Sequence, residues 1–262
     1  MNSLVDIGAN LTHDSFDADR NEVIRRAREA GVDCMIITGS SAQGSRDAVA
    51  LAESHPDMFR ATAGVHPHHA SEYDDEVHDV LQELLGHPLV VAVGECGLDY
   101  FRDFSPRDAQ RTAFERQIEL GIASQLPLFL HQRDAHEDFV SLLRPVRDKI
   151  AGAVAHCFTG GTSELRAYVD MGLYIGVTGW ICDERRGAAL YEAVKSLPLD
   201  RLMIETDAPY LMPRTLNPKP KSRRNEPQYL PEVLRVVAAA MQLPVDTVAR
   251  ASSENAKRFF RI

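Results

Sequence analysis

Ionisable side chains recur in this chain directly after short apolar runs. Leu89-Val90-Val91-Ala92-Val93 leads into Gly94-Glu95-Cys96-Gly97-Leu98-Asp99, and Pro127-Leu128-Phe129-Leu130 into His131-Gln132-Arg133-Asp134. Ala153-Val154-Ala155 leads into His156-Cys157-Phe158-Thr159-Gly160, and Leu202-Met203-Ile204 into Glu205-Thr206-Asp207-Ala208-Pro209. A carboxylate and two imidazoles from neighbouring strands form a ligand set for a catalytic divalent ion that keeps coordination positions open. Glu95, His131 and His156 are therefore expected to hold a metal. Asp207 completes the shell, or takes the proton from the attacking water as the catalytic base. One histidine after a strand is more often structural; the coincidence of several strand ends carries the assignment.

Strand alternation places Val91, Val93 and Glu95 on one face, Phe129 with His131, Val154 with His156, and Glu205 one layer beneath Asp207. Cys96 and Cys157 then point away from the metal and are read as buried small residues. His66 and His68, in Gly64-Val65-His66-Pro67-His68-His69, either contact substrate or support the ligands, or are plain loop residues. The Gly160-Gly161 turn can offer backbone N–H groups to a phosphate, although a simple tight turn is the better reading of a lone glycine pair. Pro218-Lys219-Pro220-Lys221-Ser222-Arg223-Arg224-Asn225 is a concentrated basic run, and Arg223 and Arg224 in it are candidates for holding phosphates.

The elements that must position these groups are eight short apolar runs alternating with amphipathic stretches. Leu4–Ile7, Cys34–Thr38, Arg60–Gly64 and Tyr174–Val177 join the four runs above. Continuous apolar strands fit a parallel sheet buried on both faces. Eight strand–helix alternations predict an α/β fold, a (β/α)8 TIM barrel formed as a single domain over residues 1–262, with an open doubly wound sheet as the alternative. In a barrel the C-terminal strand ends share the face that carries active sites. Ser105-Pro106 reads as an N-cap and first helical residue.

Hydrophobic residues make up 44% and charged residues 26% of the 262, an ordinary globular composition. The net charge of −9 argues against coating duplex DNA by bulk field, but a metal supplies local positive charge that net charge does not report. Cys34, Cys96, Cys157 and Cys182 have no C-x-x-C spacing and are expected to be reduced thiols. The opening Met1–Asp6 lacks signal-peptide features, and no apolar run is long enough for a membrane helix, so a cytoplasmic protein without membrane contact is expected.

With these residues laid out, the chain resembles the TatD-type deoxyribonucleases of the metal-dependent hydrolase superfamily. The resemblance covers essentially the whole length. It rests on Ala63–His68, Gly94–Asp99, His131–His136, His156–Gly160, Glu205–Tyr210 and Ser222–Pro227, with Asp6–Leu11 similar to the TatD branch proper. It implies a cytoplasmic, Mg2+-dependent 3′–5′ exonuclease acting on single-stranded DNA or RNA. Two imidazoles suit Mn2+ or Zn2+ at least as well as Mg2+. The wider family opens with Asp-x-His-x-His on its first strand; here those positions are Gly8 and Asn10, so only one ion is expected to bind tightly. Arg133 joins Arg223 and Arg224 as a phosphate-neutralising candidate, and the chain is expected to act as a monomer. The alternatives are an amide or ester hydrolase on the same barrel and a catalytically silent nucleic-acid-binding subunit. The basic run speaks against the first and Asp207 against the second.

Overall fold

The computed structural model describes residues 3–262; Met1 and Asn2, part of the opening read against a signal peptide, lie outside it. Eight strands follow one another as β1 (Leu4–Ala9), β2 (Val32–Ile37), β3 (Phe59–Ala63), β4 (Val90–Asp99), β5 (Leu128–Arg133), β6 (Ala153–Ala155), β7 (Tyr174–Val177) and β8 (Leu202–Ile204). They form one sheet in sequence order. Ala9 bridges Ala208 in parallel, which brings the first strand to the last. This is the (β/α)8 barrel expected from the alternation. Every residue of β1 and β4 is buried, as strands covered on both faces require.

The helices between strands are α1 (Arg20–Glu29), α2 (Ala42–Ser54), α3 (Asp75–Leu84), α4 (Arg107–Ser124), α5 (His136–Leu143), α6 (Thr162–Asp170) and α7 (Ala188–Val194), followed by α8 (Leu230–Met241) and α9 (Val245–Phe260). Local chemistry sets several starts. Ser41 accepts from Gly44 N at α2, and Asp74 accepts from Val77 N at α3, whose first turn carries Asp75 and Glu76. Ser105 does not cap α4. Pro106 stands at the cap position, and the Ser105 hydroxyl instead donates to His68 O and accepts from Ser71 N. A tertiary bond took the side chain that the local pattern assigned to the helix.

The chain falls into two compact units. One comprises Ile37–His156 with Asp170–Leu173; the other holds the remaining described residues. In the first, Phe59, Phe114, Phe129 and Phe139 are fully buried, each stabilising the fold by about 2–3 kcal/mol. In the second, Ile7, Leu11, Phe16, Val233, Val237 and Val248 are equally inaccessible.

One irregularity matters for function. β4 pairs with β5 as Val93↔Leu128 and then Cys96↔Leu130, so one extra residue of β4 is accommodated at Gly94-Glu95. Such a bulge re-aims a side chain, and simple alternation from Val91 and Val93 therefore does not extend to Glu95. Gly94 and Gly97 permit it: both have positive φ, 142° and 138°, and a Cβ on either would run into the carbonyl oxygen of Phe129 or His131.

Candidate metal centre

In the Ile37–His156 unit, three imidazoles converge on one carboxylate oxygen. Nε2 of His156 lies 2.7 Å from Glu95 Oε1, Nδ1 of His131 3.1 Å, and Nε2 of His66 3.3 Å. Glu95 is turned there by the bulge, and its backbone N donates to Gly39 O. His131 sits on β5. His156 follows β6, with its N bonded to Leu130 O and its ring stacked on Phe129 at 4.3 Å. His66 follows β3 in extended conformation, its N donating to Ser40 O.

A second carboxylate backs the cluster. Asp99 Oδ2 lies 2.8 Å from His68 Nε2 and 3.3 Å from His131 Nε2. Asp99 is the last residue of β4, four beyond Glu95 and 3% exposed. The sequence pattern assigns Asp99 no role, although its place at the end of the Gly94–Asp99 motif is a signal for one.

The electrostatics follow from the burial and the partners. Burial raises the Glu95 carboxyl, but the neighbouring His156, His66 and His131 imidazoles outweigh it and hold the group well below its usual range. Burial likewise works against an ionised Asp99, and the His131 and His68 imidazoles reverse it, so this carboxyl also stays ionised. His66 is pushed down to about 4, chiefly by burial, and is neutral at physiological pH.

These groups fit a divalent cation. Two ionised carboxylates and several imidazole nitrogens are the donors such an ion takes. His131 Nε2 is buried with no hydrogen bond of good geometry, only the Asp99 carboxylate at 3.3 Å, and is a ligand atom of the kind a metal satisfies. His66, Glu95 and His131 present ligand atoms within 4.8 Å of one another. His66 is nevertheless held in the wrong tautomer for coordination. Its Nδ1 accepts from His68 N, so in the neutral ring the proton sits on Nε2, which donates towards Glu95.

The comparisons decide the family. The profile described as "TatD related DNase" matches residues 5–261. The chain belongs to the TatD-related DNase family. Among relatives, the "3'-5' ssDNA/RNA exonuclease TatD" of Erwinia tasmaniensis is 50% identical over 259 residues, covering 99% of this chain and all of that one. Its namesake in Pantoea ananatis is 51% identical over 257 residues, covering 98% and 99%. A TatD homologue from Escherichia coli superposes with a TM-score of 0.91 at 29% identity, covering 99% of this chain and 98% of that one.

The remaining candidates of this TatD-family chain are each placed by their own elements. Arg133 ends β5 with its guanidinium over the Phe101 ring at 4.7 Å. In the other unit, Asp207 follows β8 in left-handed conformation (φ 53°), its N bonded to Gly8 O, and accepts from the Asn10 side-chain amide at 2.9 Å. Glu205 is fully buried and accepts from Cys157 N. Cys157 is half-buried where a buried residue was expected; it has left-handed φ (46°), which breaks the alternation after His156. Gly161 N donates to Glu164, so this turn is capped by its own helix.

The two arginines of the basic run separate. Arg224 bonds Asp19 at 2.7 and 2.8 Å and Glu226 at 2.8 Å, and lies over the Phe16 ring. Arg223 is exposed and lines a cavity of about 530 Å³ with Arg185, Arg186 and Arg214. Arg185, Arg186 and Arg214 all flank the buried Asp183.

Proposed function

We propose that this chain is a metal-dependent 3′–5′ exonuclease hydrolysing phosphodiester bonds of single-stranded DNA and RNA. The observation that carries the hydrolytic part is the gathering of His66, His131 and His156 around Glu95 Oε1. The substrate comes from the full-length relatives named for that activity at about 50% identity. Glu95, His131 and His156 would hold the ion, with Asp207 as a further ligand or neighbour. Mg2+ is the proposed metal, with Mn2+ or Zn2+ able to replace it at these nitrogen donors. A divalent cation bound there polarises a phosphodiester oxygen and lowers the pKa of water.

The chain's own residues supply the rest. Asp207 accepts the proton from the attacking water, and its hydrogen bond from Asn10 fixes the carboxylate for that role. His66 carries its proton on Nε2, the atom that would donate to a phosphate oxygen in place of Glu95, and Asp99 holds His68 beside it through Nε2 as a further substrate contact. Arg133 and Arg223 neutralise phosphate charge. Four free cysteines agree with a cytoplasmic enzyme. Among the described residues no helix is long and apolar enough to cross a membrane.

The test is a 5′-labelled single strand incubated with chelated protein to which single metals are returned. Progressive shortening from the 3′ end is expected with Mg2+, and blunt duplex should be cut much more slowly. Internal fragments appearing first would remove the exonuclease assignment, and no cleavage with any divalent ion would remove the nuclease itself.

A further inference from the structure

We propose that Phe101 and Phe104 form a stacking platform for the unpaired terminal bases of a single-stranded substrate, an inference that rests on the exonuclease reading. Both rings stand on the turn that leaves β4 immediately after Asp99, and they are 56% and 68% exposed. The other exposed large apolar side chains among the described residues, Tyr210, Leu243 and Val245, lie on separate segments. An exposed apolar residue by itself means little. Two aromatic rings three residues apart, beside a metal-binding cluster and interleaved with cations, are a different matter.

The turn that carries them is not loose. Asp99 Oδ1 accepts from Phe101 N at 3.0 Å and from Arg102 N at 2.8 Å. Gln110 ties the two ends together: its Nε2 donates to Asp99 O and Ser105 O, and its Oε1 accepts from Asp99 N. Asp103 takes left-handed φ (47°) and pairs with Arg107 at 2.9 Å. Ser105 anchors the far end to His68 O. A pinned turn thus holds two phenyl rings in water, which a fold optimising only its own stability would bury.

The rings are also continuous with the catalytic cluster. Phe104 lies 4.7 Å from the His68 ring, His68 bonds Asp99, and the His66 ring is 4.2 Å from that of His68. Arg133, two residues beyond His131, covers Phe101 at 4.7 Å, with Arg102 at 5.6 Å. Sites for single strands combine the two chemistries found here. Aromatic faces take bases, guanidinium groups take the intervening phosphates, and the choice is tolerant of sequence because every base has a π-face. Paired bases are already stacked within a duplex, so such a platform favours a strand end over a blunt one.

The experiment compares two 5′-labelled strands under Mg2+: one ordinary, one with its three 3′-terminal nucleotides replaced by abasic residues. It uses the wild type, the double variant Phe101→Leu/Phe104→Leu, and Phe101→Trp/Phe104→Trp. The wild type is expected to favour the ordinary strand in kcat/KM by about tenfold or more, mainly through KM. In the leucine variant, which keeps apolar bulk but loses the π-faces, that preference should collapse towards one; in the tryptophan variant it should return. A preference unchanged in the leucine variant, or absent from the wild type, overturns the platform while leaving the exonuclease intact. A leucine variant slowed equally on both strands shows a structural or protein-docking role and overturns it too. A wild type that cuts neither strand with any divalent ion removes the exonuclease reading, and the platform with it.

Discussion

Asn10 Nδ2 donates to Asp207 Oδ1 at 2.9 Å, joining the residue just after β1 to the residue that follows β8. Asn10 stands where the wider superfamily is expected to carry a histidine, and the amide has become a holder of the carboxylate. A carboxylate accepting an amide N–H is oriented without being neutralised, which suits a base.

Asp207→Asn keeps the shape but removes basicity. Turnover on a single strand should fall by about 10²–10⁴ while strand binding persists. Asn10→Ala removes only the support, and outer-shell losses are typically about 10–100-fold. Steady-state kinetics on both variants check the order. Near-normal turnover in Asp207→Asn would falsify the assignment of the base.

Arg223 and Arg224 should separate in experiment as they do in the structure. Arg223→Ala is expected to weaken strand binding and flatten its dependence on log salt by about 0.7, the value for one phosphate contact to a single strand. Arg224→Ala should leave that slope alone. It breaks the pairs with Asp19 and Glu226 instead, so its cost appears as stability, about 1–3 kcal/mol by denaturant titration. Equal salt slopes for the two variants would contradict this division.

That division also marks what the sequence could and could not carry. Eight strand–helix alternations favour the barrel over the open doubly wound sheet, and the ligand candidates lie at the ends of the apolar runs, so barrel and strand-end residues are legible. The pairing of Arg224 with Asp19 is not, since the two are 205 positions apart and no local pattern links them. The bulge at Gly94-Glu95 was hidden because two glycines in a motif signal close approach without saying which strand approaches. Residue types leave His66 open, because the tautomer set by His68 N depends on a backbone bond that no side-chain pattern records.

Asp6 gives a pH-dependent stability. Its carboxyl is fully buried beneath β8, accepting from Thr206 N and Oγ1 and from Gly8 N. Burial, the dominant influence, raises its pKa from 3.8 to about 7 against those hydrogen bonds. Because the folded state holds the proton more tightly, the stabilisation is complete below about pH 4 and is lost as pH rises through about 7. A shift of that size corresponds to about 4 kcal/mol. Melting of metal-free protein between pH 4 and 7 should therefore fall more steeply for the wild type than for Asp6→Asn. Parallel curves for the two proteins would show that Asp6 does not titrate in this window.

The sharpest prediction concerns the number of ions and the nitrogens that bind them. His131 offers a buried Nε2 with no hydrogen bond of good geometry, and His156 presents Nε2 to Glu95 at 2.7 Å. His66 lies within reach but carries its proton on the nitrogen that faces Glu95. On the first strand Gly8 has no ligand atom, and Asn10 is engaged with Asp207. One tightly held divalent ion per chain follows for the substrate-free protein. His131→Ala and His156→Ala should each weaken metal affinity by more than the 10–100-fold typical of an outer-shell loss. If its proton serves the phosphate as proposed, His66→Ala should leave affinity within about that outer-shell range and act mainly on turnover. Asn10→Ala should change affinity little. Metal analysis with calorimetry on the four variants decides the matter: two tight sites of similar affinity would overturn the one-ion centre, and a His66→Ala protein as metal-poor as His131→Ala would make His66 a ligand.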